Sequence, residues 1–112
     1  MGAVTVVIRA RNPIGGVATS CIADVTFSGT YAAGGDTFTP SQFGMTTILG
    51  ILPLGPAVGS ATTGRDVMPD LTNSKLRLLD SAAAGSPLTE TATANQAATV
   101  ARVLVIGNHP YI

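Results

Sequence analysis

Residues 3–27, AVTVVIRARNPIGGVATSCIADVTF, carry the pattern that decides the fold. Val4, Val6 and Ile8 alternate with Thr5, Val7 and Arg9, and the run stops at Asn12-Pro13 and Gly15-Gly16, as a strand does on entering a turn. This predicts a first strand over Ala3 to Arg11. From Val17 to Phe27 the alternation returns, with Cys21, Ala23, Val25 and Phe27 on one face and Ile22, Asp24 and Thr26 on the other. A second strand, paired antiparallel with the first through the Gly-Gly turn, is the simplest geometry.

Ser28 to Phe43 is rich in Gly, Thr, Ser and Pro around Gly34-Gly35-Asp36, a composition that predicts a long structured loop. Within it Thr39-Pro40-Ser41-Gln42-Phe43-Gly44 reads as a single helical turn, with Thr39 as N-cap, Pro40 at the first helical position and Gly44 closing it. Met45 to Leu52 predicts a third strand. Arg65 to Met68 and Lys75 to Asp80 flank the polar stretch Pro69 to Ser74 and are expected to pair as a hairpin. The Ala/Thr segment Ser81 to Thr99, broken by Pro87, reads as an exposed loop or arm. Val100 to Ile106 is continuous enough to be a central strand, with Arg102 on the face shared by Val100, Leu104 and Ile106. The sum is one all-β domain over residues 1–112, a small antiparallel β-sandwich or barrel of about six or more strands with long Gly/Pro/Thr-rich loops.

Composition narrows the function. The 112 residues carry six Lys+Arg against six Asp+Glu, a formal net charge of +0, and only 11% are charged, while 46% are hydrophobic. Such a chain has the apolar content to fold. It has no basic stripe for phosphates or anionic lipids, so neither nucleic acid nor a membrane is expected as a direct partner. Met1 to Ile8 lacks the charged start and cleavage site of a signal peptide, and none is expected. The longest apolar run, Met45 to Val58, is too short for a membrane helix and contains Pro53 and Pro56; it reads as a buried strand followed by a turn. A domain this weakly charged is poorly protected against association, which points to association as its role.

No chemistry stands out. His109 is the sole histidine, lies near the end and has no nucleophile elbow to serve. Cys21 sits in a strand pattern with no adjacent cation and reads as a small buried hydrophobe. The six acids are spread along the chain with neither glycosidase nor calcium-loop spacing. Gly34-Gly35-Asp36 reads as a turn rather than an anion nest. The chain is therefore expected to be no enzyme and to hold no metal and no cofactor.

The succession Asn12-Pro13-Ile14-Gly15-Gly16, Asp24-Val25-Thr26-Phe27, Tyr31-Ala32-Ala33-Gly34-Gly35-Asp36, Gly44-Met45-Thr46-Thr47-Ile48, Leu71-Thr72-Asn73-Ser74-Lys75-Leu76 and Ala101 to Gly107 resembles the capsid decoration, or cement, proteins of tailed bacteriophages. The resemblance implies a structural virion protein, made in the host cytoplasm, that binds the outer surface of an icosahedral capsid. There it would stabilise contacts between major capsid subunits as a homotrimer. The alternative is a carbohydrate- or receptor-binding β module of a phage tail or fibre, which would call for exposed aromatics. The expected docking arms are residues 1–7 and 108–112, and the expected contact residues are Val4, Val6, Leu52, Leu54, His109, Tyr111 and Ile112.

Overall fold

The computed structural model describes residues 2–15, 18–55, 57–59, 62–81, 88–90, 96 and 99–108. Nine strands and one 3₁₀ turn follow in the order β1 (Thr5–Gly15), β2 (Ala18–Thr26), β3 (Asp36–Thr37), η1 (Pro40–Phe43), β4 (Thr47–Pro53), β5 (Ala57–Gly59), β6 (Thr62–Asp70), β7 (Lys75–Ser81), β8 (Leu88–Glu90) and β9 (Val100–Asn108). The fold is all-β and antiparallel. In one sheet β1, β2 and β9 lie side by side, and β4 pairs with the far edge of β9. In the second, β7 pairs with β6 on one edge and with β3 and β8 on the other. β5 bridges the two, pairing with β9 at Val58 and with β6 at Ala57 and Gly59.

The circuit closes on the opposite side. Ala3 forms a parallel bridge to Thr37, with Val4 N–H donating to Thr37 O and Thr37 N–H donating to Gly2 O, each at 3.0 Å. Sandwich and barrel thus meet in one object, two packed sheets joined at both sides. Residues 2–7, expected as a docking arm, are built into it, because the backbone groups of residues 2–4 are paired with β3 and the rest belong to β1. Asn108 likewise pairs with Ala18 and Thr47 inside β9. Residues 109–112 lie outside the described residues.

Alternation places the core as the sequence predicts. β2 and β9 each bury every second residue, Cys21, Ala23 and Val25 facing inward beside Ala101, Val103 and Val105. Leu76 and Leu78 of β7 and Val67 of β6 meet them from the second sheet. The 28–44 loop plugs the remaining space with Phe27 against Tyr31 and Phe38 edge-on to Phe43. Tyr31 is buried and its hydroxyl accepts the Leu78 N–H at 2.8 Å. The predicted cap of the turn is present: Gln42 Oε1 accepts the Thr39 N–H at 2.9 Å, and Gly44 closes the turn in the left-handed region at φ 71°.

Several boundaries move. β1 continues through Pro13 to Gly15 because it is an edge strand paired only with β2, where a residue without N–H is tolerated. β6 takes in Pro69, and the turn shrinks to Leu71–Ser74. β4 begins at Thr47, leaving Met45 as a core residue. The expected buried strand in the run Met45 to Val58 is corrected: among the described residues β4 pairs only with β9, and of its own residues only Ile51 is buried. The Ser81 to Thr99 segment is also more structured than predicted. Leu88–Glu90 form β8, and Gln96 and Thr99 are buried, tied by Thr99 Oγ1 to Gln96 Oε1 at 2.9 Å and by Gln96 N–H to Ser28 O at 2.9 Å.

Candidate functional site

The outward residues of the β1–β2–β9–β4 sheet can be read off the register. One row runs Ala10, Ile22, Leu104, Leu52, and the next towards the other end runs Asn12, Ser20, Ile106, Gly50. On the other flank lie Val7, Asp24 and Arg102, with Leu54 N–H donating to Arg102 O at 2.9 Å and so extending the row. Because side chains alternate across a strand, these residues share the face opposite the core. Leu52 is 55% exposed, Leu54 49% and Val7 48%, so the face presents apolar side chains to solvent at its two edges, with polar and charged residues between them.

An ion cluster sits within it. The register shift between Ile8 and Ala10 is a bulge that lets Arg9 and Ala10 both lie on the exposed side. Arg9 Nε reaches Asp24 Oδ2 at 2.8 Å, while Arg102 Nε reaches Oδ1 at 2.8 Å and Arg102 Nη2 reaches Oδ2 at 3.1 Å. The hydrogen bonds from Arg102 and then Arg9 hold the Asp24 carboxyl well below its ordinary 3.8, at about 2, and the same contact raises Arg102. Since the folded value is depressed, the contribution of this carboxylate to stability is complete above 3.8 and is lost as pH falls towards about 2. The stability difference between wild type and Asp24→Asn should therefore be constant near neutrality and close over that acid interval, as read by denaturant titrations at stepped pH. A difference that keeps its full neutral-pH size down to pH 2 would show that Asp24 acts through something other than its charge.

The expected contact residues divide. Leu52 and Leu54 share the open face with Val7 and Leu104. Val4 is buried in the core and Val6 is half-buried against it, so neither presents its side chain to a partner; inward alternation and the bridge to β3 are the reasons. His109, Tyr111 and Ile112 fall outside the described residues. Sequence reading missed the Arg9–Asp24–Arg102 cluster, whose signal was the presence of charge at three positions of otherwise mild outward phases.

Other features offer less. Cys21 is buried, its Sγ 3.9 Å from the Phe43 carbonyl oxygen, and burial pushes the thiol up against the opposing pull of Arg11. A cleft of about 210 Å³ between η1, the start of β4 and the β6–β7 turn is lined by Phe38, Pro40, Ile48, Leu71 and hydroxyl side chains. Among the described residues there is no group of three His, Cys, Asp or Glu that could hold a metal, and no helix long and apolar enough to cross a membrane. Comparison with protein-family models, curated proteins and solved structures returned no match.

Proposed function

We propose that this chain is a non-catalytic structural virion protein that binds the exterior of an icosahedral phage capsid and stabilises contacts between major capsid subunits. Its partners are the major capsid protein and further copies of itself in a homotrimer. It is made in the host cytoplasm and ends on the capsid outer surface. The observation that carries the reading is the exposure of Val7, Leu52 and Leu54 on the outer face of one sheet, with half-buried Leu104 beside Leu52. Burying these side chains against a partner would remove their apolar surface from water, which is what favours docking on this face. The sequence resemblance supplies the kind of partner. A repetitive shell also suits a small module of modest affinity, because three linked contacts act with the avidity of an intramolecular encounter.

The test is sedimentation of the full chain with undecorated capsids, alongside its mass in solution. Binding by a trimer is the expected result. Leu52→Ser/Leu54→Ser should weaken binding by at least about tenfold, since burying each leucine contributes roughly 1.5–3 kcal/mol and tenfold is about 1.4 kcal/mol. Wild-type protein that stays in the supernatant would reject the capsid assignment, and a double variant that binds as well as wild type would reject this face.

A further inference from the structure

We propose that Arg9 and Arg102, clamped side by side on Asp24, form a receptor for an acidic side chain on the docking surface of a partner protein. The inference rests on reading the outer face as the contact surface and adds what that surface recognises. Two guanidiniums share one carboxylate, so the cluster carries one positive charge in excess. Asp24 already accepts three hydrogen bonds and takes Arg9 only through Nε and Arg102 through Nε and Nη2. Among the described residues, both Nη groups of Arg9 and Nη1 of Arg102 are left as donors. The terminal fork of Arg9 matches the two oxygens of a carboxylate, the geometry in which arginine recognises carboxylates most strongly.

Three features make this a site rather than a surface ion pair. The clamp on Asp24 fixes both long side chains before the partner arrives, which removes part of the ordering cost of binding. Both arginine side chains are about half exposed while the Asp24 side chain is 15% exposed, so the carboxylate lies beneath the two cations that hold it. Val7, Ile22, Leu104 and Leu54 are neighbours of the cluster in the outward rows, and docking would exclude water there and strengthen the charge interaction. A second copy laid face to face is a poor occupant, because Asp24 is the sole acid among the described residues of this face and its oxygens are engaged. Nucleic acid is a poor occupant too, since its affinity needs many phosphate contacts and the face offers two cations.

The test uses the full-length, ¹⁵N-labelled chain and two probe peptides, acetyl-LELEL-amide and acetyl-LQLQL-amide, followed by NMR at the arginine Nε–H and leucine methyl signals. The glutamate peptide should saturate the Nε–H signals of Arg9 and Arg102 together with the methyls of Leu52 and Leu104, with a dissociation constant on the order of 1–10 mM. The glutamine peptide should bind at least about tenfold more weakly. In Arg9→Gln/Arg102→Gln, with its backbone amide spectrum otherwise intact, the two peptides should become equivalent. Equal binding of both peptides to wild type, a glutamate preference surviving in the double variant, or tighter saturation by a single-stranded oligonucleotide would each overturn the receptor. Because no capsid is involved, failure of capsid sedimentation removes the virion assignment without touching this result.

Discussion

Gly35→Ala is expected to destabilise the fold by on the order of 3–5 kcal/mol, a large share of the stability of a domain this size. Two independent causes act at this position. Its φ of +100° is a region that side-chain-bearing residues enter only with strain. A Cβ there would also lie 2.3 Å from the carbonyl oxygen of Leu76 and 2.7 Å from its carbon, and neither atom can yield without moving the backbone of β7. The consequence spreads because the next residue, Asp36, pairs with Leu76 and is fully buried, accepting the Ser28 N–H at 2.7 Å and the Ser28 hydroxyl at 3.0 Å. Gly34 provides the control. It has a similar φ of +97°, yet its Cβ would meet only Lys75 Nζ at 3.7 Å, so Gly34→Ala should cost the strain alone, about 1–2 kcal/mol. Denaturant titration of both variants separates the two causes, and equal losses would show that the contact with β7 is relieved without cost.

The same loop marks where the sequence could and could not be read. Local signals were legible: the period of two in β2 grouped Cys21, Ala23 and Val25 on one face, the continuous apolar run of β9 marked a strand paired on both edges, and Thr39, Pro40 and Gly44 announced the 3₁₀ turn. What depends on distant partners was not. The parallel bridge of Ala3 to Thr37 has no local signature, and without it Val4 looks like an apolar terminus free to dock. Gln96 and Thr99 are polar residues in an Ala/Thr segment, and their burial is made tolerable by hydrogen bonds to each other and to Ser28 and Phe27 that no local pattern announces. Leu52 and Leu54 were singled out as contacts, but whether an apolar strand faces core or solvent follows from its place at a sheet edge, which periodicity alone does not fix. Asp24 and Arg102 are 78 residues apart, so their pairing is visible only in the register of β2 with β9.

Phe43→Ala should lower stability by about 3–5 kcal/mol, as truncation of a fully buried aromatic does, and shift the melting temperature down on the order of 10–20 °C. Phe43 has no exposed surface, meets Phe38 edge-on with ring centroids 6.1 Å apart, and sits at the end of η1, where its carbonyl oxygen faces Cys21. Removing the ring empties the space between the 28–44 loop and the inner face of β2, and the cavity cannot collapse readily because Gly44 and Met45 are tied back to Ser41 and Pro40 by hydrogen bonds of 3.1 and 3.0 Å. Phe43→Leu, which keeps most of the volume, should recover the larger part of the loss. The proposed contact face lies on the other side of the same sheet, so core and face should separate cleanly. Folded Phe43→Ala protein at low temperature should bind its partner as wild type does, whereas Leu52→Ser/Leu54→Ser should melt close to wild type and bind poorly. Loss of binding in folded Phe43→Ala would mean that the outer rows depend on the packing beneath them, and that the curvature of β2 and β9, set by the core, is itself part of what the partner recognises.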